Sequence, residues 1–191
     1  MRRYIPEDAK PVPEDAERVF EGVIYDVWQW DQKLYDGSMA KFEILKRPDT
    51  VVALCVKGDK VVVVEEEQPH RGRSVGLPGG RVDVDSETEL DAVKREVKEE
   101  TGMMFSSWKL VYAKQATSKI DHLFYIFIAS DYQGTTEANH DAGEKITVKE
   151  YDFEEFKVIA LADNFAVKLP KAFLEAYSLD EVLQIPALDS E

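Results

Sequence analysis

Residues 86–101, SETELDAVKREVKEET, form the clearest helical pattern in a chain whose other apolar runs read mostly as strands. At about 100° per residue, Leu90, Val93 and Val97 line up as one apolar stripe. Ser86 and Glu89 match a capping box, and Gly102 supplies the C-terminal stop. A helix with a single apolar stripe needs a surface to cover. The runs TVVALCV and KVVVVEEEQ, joined by KGD, offer one as a hairpin of buried strands, and WKLVYAKQA, HLFYIFIAS and ITVKEYDF follow beyond the helix. Further helical segments are expected around residues 154–161 and 170–177. Strands interleaved with few helices predict the α+β class, a mixed sheet covered by helices.

The same helix carries Glu96, Glu99 and Glu100 close together, and like charges at such spacing cost helix stability. Glu89, Glu96 and Glu100 fall roughly 70° from the apolar stripe by the same angular arithmetic. A merely solvated face would centre its charges opposite the core; these acids flank the buried edge. Glu99 points further outward, within i,i+4 reach of Arg95. Two readings stand at this point. One is an exposed helix with ion pairs. The other is an oxygen-ligand site for a hard divalent cation, Mg2+ or Mn2+.

Three prolines, Pro6, Pro11 and Pro13, make residues 1–17 an extended arm. Residues 18–46 read as an antiparallel strand unit with a turn at YDGS, too small to stand alone. Residues 47–165 hold the main domain, and 166–191 a C-terminal helix and tail. The net charge of −14 disfavours nucleic-acid and membrane-surface binding, which want basic patches. The single cysteine, Cys55, excludes an internal disulfide framework and lies in an apolar strand, where it reads as core. No signal-peptide pattern and no apolar run near about 18 residues is present, so a soluble, cytoplasmic protein is expected.

The stretch GGRVDVDSETELDAVKREVKEETGM, residues 79–103, resembles the Nudix box. Glu87, Arg95, Glu96, Val97, Glu99, Glu100, Gly102 and Met103 match its spacing, with one departure: six residues rather than five separate Gly80 from Glu87. The resemblance implies a Nudix α/β/α sandwich with a mixed sheet, preceded by the N-terminal strand unit. It also implies a helix whose glutamates hold Mg2+ or Mn2+ against a diphosphate. By position, Glu96 and Glu100 are the principal expected ligands, Glu99 supports them, and the carbonyl of Gly79 joins from the loop. Arg95 would orient the acids and Glu87 would shape the loop.

The layout around the box resembles the ADP-ribose and nucleotide-sugar pyrophosphatase branch, whose members commonly exchange an N-terminal strand unit within a homodimer. A nucleotide-type small molecule is then the expected substrate. Two features depart from the branch: Gly76 stands where many members carry glutamate, and ATSKID lacks a proline expected there. Trp28 and Trp30 share a strand face and are candidates for stacking a base, against the commoner role of core or dimer packing. Arg71 and Arg73 are candidates for phosphate binding, against an ordinary solvated loop. His122 reads as structural, while His70 and His140 stay undecided. The general base is expected from the loop GTTEANHDAGEKI, which offers Glu137, Asp141 and Glu144. Glu144 is preferred because AGEKITV resembles the branch segment where a loop glutamate precedes the next strand. The alternatives are a hydrolase of (d)NTPs or dinucleotides, a nucleotide-sensing module without turnover, whose mark would be lost box glutamates, and an isomerase of isoprenyl diphosphates. The isomerase would need a well-placed cysteine.

Overall fold

The computed structural model describes residues 2–69, 72–84, 86–140 and 142–188; His70, Arg71 and Asp141 lie outside them. In chain order the elements begin with β1 (Glu17–Phe20), β2 (Asp26–Lys33), β3 (Met39–Lys46), β4 (Thr50–Lys57), β5 (Lys60–Gln68), β6 (Gly72–Gly76) and β7 (Gly79–Arg81). After α1 (Glu89–Thr101) come β8 (Met103–Thr117), β9 (Ile120–Thr135), β10 (Lys145–Asp152), α2 (Phe153–Ala160), α3 (Lys171–Glu175) and α4 (Leu179–Leu183).

Strand β4 sets the layers. Val52, Leu54 and Val56 enter one apolar cluster, and Val51, Ala53 and Cys55 enter the other, the period of two that a strand imposes. Buried on both faces, β4 reads in sequence as an unbroken apolar run. Ala92, Val93 and Val97 of α1 cover one face, and Phe156, Phe173 and Val182 of the later helices cover the other. Full burial of Val93 and Val97 stabilises by about 1.5–3 kcal/mol each. The result is an α+β sandwich with helices on both faces of a mixed sheet. Leu169, Phe173, Ala176 and Val182 are buried in the same cluster as β4, so the segment beyond residue 165 packs into the main core.

The sheet runs β1-β2-β3-β9-β4-β5-β10, with β4 parallel to β9 and antiparallel to β5. One edge of β4 serves two partners. Cys55–Lys57 pair with β5, whereas Thr50–Val52 pair with β7. The two central strands therefore part, and the β6–β7 connection enters the fork, where Ala53 N–H donates to the Pro78 carbonyl at 2.9 Å. Gly79, with φ 150°, passes so close that a Cβ there would meet the Val51 carbonyl oxygen at 2.1 Å. The second half of α1, at Glu96 and Glu100, faces this fork.

The helix begins later than the sequence pattern suggests. Thr88 is the N-cap and Asp91 completes the box, with Asp91 N–H donating to Thr88 Oγ1 and Thr88 N–H to the Asp91 carboxylate. Ser86 and Glu89 satisfy the same spacing, but Ser86 turns the preceding loop with φ 69° and Glu89 is buried by the N-terminal arm. That arm is tied down along its length. Arg2 makes a bidentate pair with Asp49 at 2.6 and 2.7 Å and reaches Asp121 at 2.6 Å. Arg3 N–H donates to Glu89 at 2.7 Å, Tyr125 hydroxyl to the Tyr4 carbonyl at 2.9 Å, and Val12 N–H to Asp121 at 3.0 Å.

Strands β1 to β3 project from the other end of the sheet. β2 and β3 pair from Asp26↔Lys46 to Lys33↔Met39, and only the end of β3, at Leu45 and Lys46, meets β9. Among the described residues, no helix is long and apolar enough to cross a membrane.

Candidate active site

Helix geometry puts the box glutamates where the angular arithmetic expects them, on the rim of the buried stripe. Glu100 is 8% exposed, and its carboxylate accepts the Gly79 N–H at 2.8 Å across the fork. Glu96 lies against the same loop: a Cβ on Gly80 would stand 2.4 Å from the Glu96 carboxyl carbon. Glycine at both positions thus lets backbone and carboxylates approach closely. Glu99 is turned outward and pairs with Arg95 at 3.0 Å, as the i,i+4 spacing implies.

Arg95 gathers the acids. It donates to Glu87 at 3.0 Å, Glu96 at 2.9 Å, Glu99 at 3.0 Å and the Arg81 carbonyl at 2.9 Å. Glu87 in turn accepts the amides of Asp83 and Val84 at 3.1 and 3.0 Å, closing the loop that carries the extra residue. Burial opposes the Glu87 charge, but Arg95 and the two amides outweigh it and hold the carboxyl below its usual range. The opposite balance holds deeper in. Burial pushes Glu100 well above the ordinary carboxylate value, only partly offset by the Gly79 amide, and Glu96, Glu66 and Glu144 add to it. Burial also raises Glu96, against the pull of Arg95.

Sheet register brings in the remaining acids. Val62, Val64, Glu66 and Gln68 alternate onto one face of β5, and Val62 belongs to the cluster under α1. The β5–β10 ladder ends at Lys145↔Glu67, which sets Glu144 opposite Gln68 and on that same face. The loop before it is docked on the C-terminal end of α1. Thr136 N–H donates to the Gly102 carbonyl and Asn139 N–H to the Glu99 carbonyl, each at 2.8 Å, and His140 Nε2 lies 3.0 Å from the Glu100 carbonyl. These contacts satisfy carbonyls that a helix end leaves open. A cleft beside the loop is lined by Gln68, Pro69, Gly143 and Glu144. Glu66 and Gln68 escaped notice in the sequence, although the alternation of VVVVEEEQ carries the signal.

Among the described residues, no three His, Cys, Asp or Glu side chains stand ready-made around a metal position. Glu96 and Glu100 are turned instead to Arg95, Arg81 and Gly79 donors. The donor set still fits a hard divalent cation: buried carboxylate oxygens on one helix rim, raised in energy by burial, beside a glycine loop. Glu96 and Glu100, with Glu99 and the Gly79 backbone nearby, are the residues able to hold it.

The other expected residues stand elsewhere. Arg73 pairs with Glu65, and its register partner is Glu67, so it occupies the face of β5 opposite Glu66. Trp28 and Trp30 lie on β2, separated from β4 and β5 by β3 and β9. Trp30 packs against Phe42 at 5.9 Å and Trp28 lies under Lys46 at 5.6 Å. Within one chain they are not brought to the acids. His122 contacts Thr50 Oγ1 at 2.9 Å; burial, then Arg47, lowers its pKa, in keeping with a structural role. Cys55 is fully buried, and burial pushes its thiol upward, which leaves no accessible cysteine acid for an isomerase.

The NUDIX domain family model matches residues 46–173. The chain belongs to the NUDIX domain family. It is a Nudix hydrolase, and all the box glutamates are in place. The ADP-ribose pyrophosphatase of Bacillus subtilis (strain 168) is 27% identical over 173 residues, covering 88% of this chain and 92% of that protein. The crystal structure of an ADP compounds hydrolase superposes with a TM-score of 0.65 at 18% identity, covering 85% of this chain and 89% of that chain. That likeness shows the Nudix fold, and the sequence likeness places the chain beside the ADP-ribose pyrophosphatase branch.

Proposed function

We propose that this Nudix hydrolase cleaves the diphosphate bond of a nucleoside diphosphate linked to another moiety, a nucleotide sugar such as ADP-ribose, using Mg2+ or Mn2+. The observation that carries the reading is the buried Glu100 and the half-buried Glu96, set against the Gly79–Gly80 loop with Glu144 on the adjoining strand face. When bound, the divalent cation supplies charge neutralisation on the diphosphate and a more acidic attacking water. Glu144 takes the proton as the water oxygen bonds to phosphorus. The phosphoanhydride bond breaks, giving a nucleoside monophosphate and a sugar phosphate. Arg95 keeps Glu96 aligned throughout.

The protein acts in the cytoplasm as a homodimer through β1 to β3. That unit exposes Val23, Phe20 and Met39 at 102%, 59% and 58%, and among the described residues the buried Trp28 Nε1 has no hydrogen-bond partner. Apolar exposure concentrated in a unit without its own core fits burial by a second copy. Such a copy is also what would carry Trp28 and Trp30 toward a substrate. Sedimentation should show a dimer at micromolar concentration; a monomer there contradicts it.

Gly76 bears on the substrate. A Cβ on Gly76 would lie 3.2 Å from the Ala166 Cβ, and residues 164–166 bond to β6 through Val75. A side chain at position 76 would therefore press on this segment, which would have to shift slightly to admit the branch's usual glutamate. A screen over nucleoside diphosphate sugars, dinucleotides and NTPs, with Mg2+ and Mn2+ and the products resolved by chromatography, tests the proposal. Turnover of nucleotide sugars to a nucleoside monophosphate supports it. Exclusive turnover of NTPs or dinucleotides favours the other hydrolase class, and binding without turnover favours a sensing module.

A further inference from the structure

Glu66 and Gln68 stand two residues apart on β5 and so share a face, and the β10 register brings Glu144 opposite Gln68. Two carboxylates meet at one amide. Gln68 Nε2 donates to Glu66 Oε1 and lies 3.4 Å from Glu144 Oε1. The amide must present its nitrogen there, because its oxygen would face two acceptors and offer neither a proton. We propose that Gln68 is a positioning residue: its amide, fixed by Glu66, holds the Glu144 carboxylate on the α1 face of the sheet, aimed at the attacking water. The inference rests on Glu144 being the general base.

The geometry explains why an amide stands between these acids. Two carboxylates side by side repel, and a neutral side chain with two N–H groups satisfies both without cancelling either charge. A lysine there would neutralise the base by pairing with it. The Gln68–Glu144 contact is long, as catalytic hydrogen bonds often are before substrate closes the site. Glu144 follows Gly143 at the end of a loop, and Gln68 gives its carboxylate a partner on the strand side. The far end of that loop is already held by the carbonyls of α1.

The test compares wild type, Gln68→Ala, Gln68→Met, Glu144→Gln and the double variant Gln68→Ala/Glu144→Gln, on the nucleotide sugar turned over fastest, under saturating Mg2+. Gln68→Ala and the near-isosteric Gln68→Met should both lower kcat about tenfold to a hundredfold, the loss typical of an orienting partner, with KM little changed. The double variant should be no slower than Glu144→Gln alone, since Gln68 acts through that carboxylate. Circular dichroism and melting of each variant establish that it is folded. Wild-type kcat in Gln68→Met beside a collapsed Glu144→Gln overturns the inference alone. So do losses that multiply in the double variant. Unchanged kcat in Glu144→Gln removes the base assignment itself, and the inference with it.

Discussion

At the N-terminal arm, Arg2 sits between Asp49 and Asp121, and the amides of Leu123 and Val12 take up further lone pairs of the same carboxylates. At the rim of α1, one guanidinium, Arg95, serves Glu87, Glu96, Glu99 and Asp83, while Glu100 has the Gly79 amide. Both clusters remove acids from water. In the first, Asp121 and Asp49 are 2% and 7% exposed and their charge is met by donors of the chain. In the second, four acids share one guanidinium, and burial drives Glu100 and Glu96 toward the protonated form. Desolvation of a carboxylate is costly unless it is paired. A cluster whose carboxylates are held by a cation and amides of the chain holds structure together; one whose acids are driven toward protonation beside a cleft is suited to an outside cation.

Exchanging the charged oxygen for a neutral one should separate the clusters most sharply. Glu100→Gln keeps an acceptor for the Gly79 amide, so the fold should survive, yet kcat should fall by about a hundredfold to a thousandfold. Steady-state kinetics beside circular dichroism checks this. At the arm, Arg2→Ala leaves two buried carboxylates without their cation. It should cost about 3 kcal/mol in urea denaturation while kcat per folded molecule stays at the wild-type value. A stability loss in Glu100→Gln, or a kcat loss in Arg2→Ala, would blur the distinction.

How far the sequence carries this distinction depends on how local each signal is. The acids of α1, their stripe and Arg95 lie within one helix, where the angle per residue fixes their relative positions. Glu144 needed a resemblance to be singled out, and register then placed it. The arm was illegible beyond being proline-rich, because Arg2 finds its partners 47 and 119 positions away through tertiary packing. The N-cap was ambiguous for a different reason. Ser86–Glu89 and Thr88–Asp91 both fit the capping spacing, and only the burial of Glu89 against the arm decides between them. Gln68 was missed because a strand's acids draw the eye by charge, while its function depends on which alternate face they occupy.

Smaller effects sharpen the comparison. Gly80→Ala would press a methyl against the Glu96 carboxylate, the movable end of a flexible side chain. The Mg2+ concentration for half-maximal rate should rise about tenfold, with melting nearly unchanged. Gly79→Ala, at φ 150° and against backbone, should instead destabilise the fold. The last effect is a pH dependence. Glu100 and Glu96 hold their protons more tightly folded than unfolded, so the associated stability is full below the unfolded carboxylate value near about 4.3 and is lost as pH rises through the raised folded values. Without metal, wild type should melt with Glu100→Gln at about pH 5 and below it at about pH 8. Saturating Mg2+ should abolish the gap.

Direct titration of the cation tests the central claim most closely. Isothermal titration of Mn2+ into substrate-free wild type at neutral pH should give a saturable binding event that is lost in Glu96→Gln/Glu100→Gln and retained in Arg2→Ala at a temperature where that variant is folded. Equal binding by wild type and the doubly substituted protein would contradict the assignment of the α1 acids as the metal site.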